Sequence, residues 1–265
     1  MAGKVEKRRR EILKILEAEE EVFIGEIAER FGLTTETIRQ DFDYLSEQYN
    51  LMRFHGGIKK EQEIAYQEEY RYKFKRQLRI DEKKKICAKA ALLVKSGDMI
   101  YVDGGSTCSH LLGFLADMTG ITVVTPSIPL LMMYAYEGYD KRFLEKGNQF
   151  LYLGGQINAS LMTTHGSVFS AMLGSLHFDK MFFSCDAVDL KGGITNTDET
   201  AFSIIQAVKA RARSKILLVD QTKMGLIAHY KAFDLEEVDV IVTTKRLDER
   251  WMEILSKSDV SCHCL

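Results

Sequence analysis

From residue 99 onward the chain alternates two patterns. Short apolar runs, MIYVD (99–103), ITVVT (121–125), FLYL (150–153), KMFFSC (180–185), KILLVD (215–220) and DVIVTT (239–244), have strand length and are rich in Val, Ile and Phe. Buried strands have this composition. Between most of them lie helical patterns, clearest at Ile86 to Val94, His110 to Met118, Ile128 to Tyr136 and Thr200 to Arg211. Strand–helix alternation requires crossover connections and so predicts a mostly parallel sheet covered on both faces, an α/β domain over residues 82–265. In such sheets ligands bind outside the carboxyl ends of the strands.

Residues 1–60 follow a different pattern. Lys4 to Ala18 reads as a helix with Ile12, Leu13, Ile15 and Leu16 inward, and Ile24 to Phe31 as a second, stopped by Gly32. Then comes LTTETIRQDFDYL, Leu33 to Leu45. Thr34 suits an N-cap, and Leu33 and Ile38 stand at hydrophobic-staple positions. At 100° per residue Ile38, Phe42 and Leu45 share one side; Glu36, Arg39, Gln40, Asp43 and Glu47 point the other way, with Thr35 and Thr37 flanking the first turn. That polar face fits an ordinary surface helix or a recognition helix. For the second reading Arg39 would pair with guanine and Gln40 with adenine, each worth about 1–3 kcal/mol of discrimination. Asp43, four residues beyond Arg39, either holds that Arg or forms a surface pair of ~0.3–0.5 kcal/mol.

Leu51 to Phe54, a Gly56-Gly57 turn and Ile58 to Lys60 predict a two-stranded wing whose Arg53, His55, Lys59 and Lys60 could follow phosphates. The order helix, helix, capped polar helix, Gly-Gly hairpin favours duplex binding over protein contact. Net charge is only −2, so the claim rests on local geometry, with basic runs at Lys4 to Arg10 and Arg71 to Lys85. Residues 61–81, charged and without Gly or Pro, read as a connector with some helix.

At the strand ends of the larger domain polar groups gather. Asp103 ends the first run; Gly104 and Gly105 permit close backbone approach; Ser106 and Thr107 open a helix, where free N–H groups favour an anion. A tight turn without a ligand would look similar. Thr125 and Ser127, Gly154-Gly155, Asp186 and Asp189, Lys191-Gly192-Gly193, Glu199, and Asp220 with Lys223 and Gly225 fall at or after the other ends. Such an edge suits a phosphorylated polyol, the Ser/Thr turn and Lys223 taking phosphate and the acids accepting sugar hydroxyls.

Two stretches carry a family resemblance. TIRQDFDYL and LMRFHGG resemble the winged helix-turn-helix of the DeoR family of bacterial transcriptional regulators, whose pattern is Thr-Ile-Arg-Arg-Asp-Leu followed by Leu-x-Arg-x-His-Gly-Gly. Gln40 departs from the second Arg, and Asn50 stands where Gly is common. Asp103-Gly-Gly-Ser-Thr107, Thr125-x-Ser127, Gly154-Gly155, Glu199 and Asp220-x-x-Lys223-x-Gly225 resemble that family's effector domain. The resemblance implies a ribose-5-phosphate-isomerase-like fold that senses a phosphorylated sugar and controls oligomer geometry. It therefore implies a repressor of a sugar-metabolism operon, homo-oligomeric and bound to operator DNA. The isomerases' Gly-Ser-Thr turn, acidic run, Lys-Gly-Gly run and Glu base have counterparts in Gly105 to Thr107, Asp186 to Asp189, Lys191 to Gly193 and Glu199. An isomerase with an accessory DNA-binding module is thus the alternative, although Ala187 replaces a glycine of the acidic run. Regulation rather than catalysis is expected, with no cofactor.

Other features point to structure. LLMMYAY (130–136) reads as a buried helix, His165 as a turn residue, Trp251 as packing for the last helix, and Lys83-Lys84-Lys85 as a solvated helix face. Five cysteines, an odd number, fit reduced thiols. A terminal strand would put Cys262 and Cys264 on one face and His263 on the other, short of the four ligands a closed zinc site needs. The N-terminus has no signal-peptide pattern and no apolar run nears the ~20 residues of a bilayer span. A cytoplasmic protein is expected.

Overall fold

The computed structural model describes residues 2–19, 21–49, 51–54, 56–60, 72, 75–244 and 247–264. The chain divides into two compact units, Met1–Ile80 and Asp81–Leu265. Of the 61–81 connector, residues 61–71, 73 and 74 lie outside the described residues.

In the first unit, helices α1 (Ala2–Ala18), α2 (Ile24–Phe31) and α3 (Thr35–Gln48) pack around Ile12, Leu13, Leu16, Ile27, Ile38, Phe42 and Leu45, all buried. Gly32 ends α2 in the left-handed region (φ 62°), where it carries no Cβ penalty. The Thr34 side chain accepts from the Thr37 amide at 3.3 Å and so starts α3. Strands β2 (Leu51–Phe54) and β3 (Gly57–Lys60) form the hairpin, with Gly56 at φ 93°. The sheet has a third strand, β1 (Glu21–Phe23), antiparallel to β3. Three residues are too short to display alternation, and only Val22 of the three is buried.

The second unit is built on seven parallel strands: β4 (Met99–Val102), β5 (Thr122–Thr125), β6 (Gln149–Tyr152), β9 (Phe178–Phe183), β12 (Ala212–Leu218), β14 (Val240–Thr243) and β15 (Ser261–Cys264). Successive side chains enter opposite cores, as the period of two demands. Ile100, Val102, Val123, Phe182, Ile216, Leu218 and Val242 meet one set of helices. These are α4 (Ile80–Ala91), α5 (Leu112–Leu115), α6 (Ile128–Tyr136) and α7 (Tyr139–Glu145). Tyr101, Val124, Met181, Phe183, Leu217 and Ile241 meet α8 (Ser167–Gly174), α9 (Glu199–Lys209) and α10 (Glu249–Lys257), the last through Trp251 and Leu255. Among the described residues no helix is long and apolar enough to cross a membrane.

The strand order is β15-β14-β12-β9-β4-β5-β6. From β4 the chain therefore runs outward through β5 and β6, returns to β9 on the other side of β4, and runs outward again. The direction reverses between β4 and β9, and in parallel sheets the ligand crevice is expected at such a point, where neighbouring connections leave on opposite sides.

Several sequence expectations need correction. The pattern at His110 to Met118 folds as a 3₁₀ turn, Cys108–His110, followed by the single turn α5. Ser106 and Thr107 thus open a tight turn, not a long helix. In α6, Leu130 and Met133 are buried but Met132 and Tyr136 are exposed, so LLMMYAY covers the sheet with one side only. His165 lies in a short strand, β8 (Thr163–His165), paired with β7 (Gln156–Asn158). The acidic and Lys-Gly-Gly runs form a hairpin, β10 (Ala187–Asp189) with β11 (Gly193–Asn196), and β13 (Tyr230–Phe233) adds to it. Cys262 and Cys264 do share a face, Sγ to Sγ 3.5 Å.

Candidate functional site

In the first unit, Thr35, Glu36, Arg39 and Gln40 are exposed on α3 and Thr37 is half-buried at its first turn. They follow a three-residue turn from α2, the geometry that presents a second helix to a major groove. The Arg39 guanidinium is ion-paired with Glu36 and the Gln40 amide lies on the same outer surface. Asp43, considered above as a partner for Arg39, instead faces Arg53 at 3.2 Å. Arg53 also donates to the Arg39 carbonyl at 3.3 Å, and Lys60 donates to the Glu17 carbonyl. Two basic residues expected to follow phosphates are therefore folded back on the protein. His55 lies outside the described residues.

One residue sequence reasoning passed over fixes this surface. Asp41 is buried, and its two carboxylate oxygens accept one each from Arg8 Nε and Arg9 Nε, the second at 2.8 Å. The pair ties α3 to α1. Asp41 lies three residues beyond Ile38 and four before Leu45, on the apolar stripe, and that spacing was its signal.

In the second unit the β4–β9 crevice is lined from both strand ends. Asp103 follows β4, and its carboxylate accepts from the amides of Gly104, Gly105 and Ser184; burial outweighs these bonds and pushes its pKa up to about 6. A Cβ on Gly105 would overlap Ser184 Oγ, and one on Gly104 would overlap Thr163 Cγ2. These glycines let the turn lie against the end of β9 and the β7–β8 hairpin. The turn is fixed from below by Cys87, which donates to the Thr107 carbonyl at 3.2 Å. The amides of Ser106 and Thr107 make no backbone hydrogen bond among the described residues, and the first closing bond runs from Ser109 to the Gly105 carbonyl. Such amides are anion donors.

Lys83 overturns its assignment as a solvated lysine. Its side chain is buried, and Nζ donates to Ser106 Oγ at 3.2 Å, while Lys84 and Lys85 are exposed. The spacing Lys83, Ile86, Cys87, Ala90 puts it on the inward stripe of α4, a signal present in the sequence.

Across the crevice, Asp186 accepts from the Thr197 amide at 2.9 Å and its hydroxyl at 2.8 Å. Asp198 caps α9, which puts exposed Glu199 in its first turn, two residues beyond Thr197. On the far side of β9 the Asp220 side chain accepts from the Thr222 amide, and Lys223 lies close enough to Cys185 to oppose the upward shift that burial gives its thiol. Gly225 donates to the Val188 carbonyl at 2.7 Å, holding the Lys223 segment against β10. Asp103, Gly105 to Thr107, Asp186 and Lys223 thus come from three adjacent strand ends, β4, β9 and β12.

Thr125 and Ser127 have structural work of their own. Thr125 Oγ1 donates to the Val102 carbonyl at 2.6 Å and accepts from the Ser127 amide, while Ser127 Oγ caps α6 through the Leu130 amide. Both residues are buried, so their hydroxyls shape the rim from behind.

A family model described as a DeoR-like helix-turn-helix domain matches residues 8–63, and one described as a DeoR C-terminal sensor domain matches residues 78–245. The HTH-type transcriptional regulator YgbI of Escherichia coli is 29% identical over 255 residues, 96% of this chain and 95% of that protein. The lactose phosphotransferase system repressor of Streptococcus mutans is 26% identical over 255 residues, 96% of this chain and 98% of its own. Ribose 5-phosphate isomerase A of Methanocaldococcus jannaschii aligns over 55% of this chain and 54% of its own, with 17% identity and a TM-score of 0.37.

Proposed function

The chain belongs to the DeoR family of transcriptional regulators, and from that premise we propose that it is a cytoplasmic repressor of a sugar-metabolism operon whose operator affinity is set by a phosphorylated sugar. Helix α3 enters the major groove, with Thr35, Glu36, Thr37, Arg39 and Gln40 facing bases and phosphates. Two copies acting together would read paired half-sites. The 1–60 segment is the reading domain, 61–81 its connector, and 82–265 the sensing and oligomerising domain.

The observation that carries the sensing half is Lys83. Its ammonium donates to the Ser106 hydroxyl in the turn whose Ser106 and Thr107 amides make no backbone hydrogen bond among the described residues, and Lys223 acts on Cys185 at the end of the neighbouring strand β9; charge and donors of this kind suit a phosphate. Asp103, Asp186 and Glu199 then lie where a polyol body would extend. The lactose-system repressor among the relatives supports the class of regulated gene.

A thermal-shift screen of phosphorylated sugars against their unphosphorylated parents tests this. A ligand at 100 times its dissociation constant stabilises its unit by about 2.7 kcal/mol. Stabilisation that needs the phosphate and vanishes in Lys223→Ala supports the reading. Equal response to the parent sugars, or none across the panel, overturns it.

A further inference from the structure

The wing's Arg53 has an environment unlike that of a phosphate contact. Its guanidinium faces the Asp43 carboxylate at 3.2 Å, donates to the Arg39 carbonyl at 3.3 Å and sits 5.6 Å above the Phe42 ring. All three partners belong to α3. The Arg53 side chain is 27% exposed, whereas Asp43 is 55% exposed and stands one turn along the helix from Arg39. An acid at that position has two harmful options when a duplex approaches. It can draw Arg39 away from the base edge through an i,i+4 pair, or repel the phosphates beside it. Pairing with Arg53 blocks both, and leaves Arg39 with Glu36 at the opposite end of its reach.

We propose that Arg53 is a positioning residue for DNA reading: from the wing it neutralises Asp43, braces the wing on α3, and keeps Arg39 available to a base. Arg53 contributes to specificity through Arg39 and touches no base itself.

The proposal separates from direct phosphate contact by second-site rescue. Full-length chain is titrated into two duplexes, one selected for tightest binding from a randomised pool and one scrambled, over a range of salt. Arg53→Met keeps an unbranched side chain and removes the charge and the guanidinium donors. Its affinity for the selected duplex is expected to fall about three- to tenfold, with a smaller loss on the scrambled one. Adding Asp43→Asn to that variant restores selected-duplex affinity to within about twofold of wild type and returns the wild-type salt slope. The proposal is overturned if the double variant remains as weak as Arg53→Met with a slope lower by about 0.9, which marks a lost phosphate contact. It is also overturned if Arg53→Met binds both duplexes like wild type. Asp43→Asn alone is expected to bind at least as tightly as wild type; a loss in that single variant would contradict the repulsive role given to Asp43.

Discussion

Replacing Asp41 by asparagine leaves the shape of the side chain and removes its charge. In the native unit each carboxylate oxygen takes one guanidinium N–H, from Arg8 and from Arg9. Asparagine offers one acceptor and one NH₂, so one arginine is left facing a donor. Removing one partner of a buried ion pair destabilises by about 3–5 kcal/mol. Here the arginine side chains retain 15% and 24% exposure, and Arg9 stacks over the Tyr44 ring at 3.7 Å, so both can recover some solvation. The loss should be smaller, about 2–3 kcal/mol. With a urea dependence near 1 kcal/mol per molar for a unit of this size, the first unit's midpoint should drop by roughly 2 M. Circular dichroism of the full chain in urea measures it, and Trp251 fluorescence follows the second unit separately. A shift under about 0.5 M, the size of an exposed pair, would refute the claim that Asp41 fastens α3 to α1.

Other outcomes follow from the crevice. Gly105→Ala should cost about 1–3 kcal/mol in the second unit, because the new Cβ must displace Ser184, and should abolish ligand-induced stabilisation; a melting curve with each phosphorylated sugar reads both. Asp103 has a folded pKa near 6, above its unfolded value of about 4, so the native state holds the proton more tightly and this group's contribution to stability falls as pH rises between those values. Urea midpoints from pH 4 to pH 6 should lose that slope in Asp103→Asn. Lys83→Met, matched in length, should leave the second unit folded at neutral pH and weaken phosphate-dependent stabilisation at least tenfold, measured by calorimetric titration.

The sheet was legible because its inner strands are buried on both faces. All six apolar runs became strands, since Ile100, Tyr101 and Val102 can each find an apolar core whichever way they point. Helix α3 was legible through its cap at Thr34 and its stripe of Ile38, Phe42 and Leu45. Strands held by non-local pairing were less visible. β1 pairs with residues more than thirty positions away, and β10, β11 and β13 assemble around glycine turns that read as loops. The polar residues missed are those on apolar stripes. Asp41 and Lys83 occupy inward positions, but their partners, Arg8, Arg9 and Ser106, lie far along the chain and have no local signature. The hydroxyls of Thr125 and Ser127 stand at the expected strand end and are engaged by backbone groups nearby, which sequence does not display.

The central claim is that a phosphorylated sugar at the β4–β9 crevice changes how tightly α3 grips its operator. The direct measurement is the dissociation constant for the selected duplex with and without the sugar phosphate that most raises the melting temperature, in wild type and in Lys223→Ala. A coupling of about 1–3 kcal/mol, a 5- to 150-fold change in wild type that disappears in the variant, is the expected result. Tight ligand binding with an unchanged dissociation constant for DNA would contradict it.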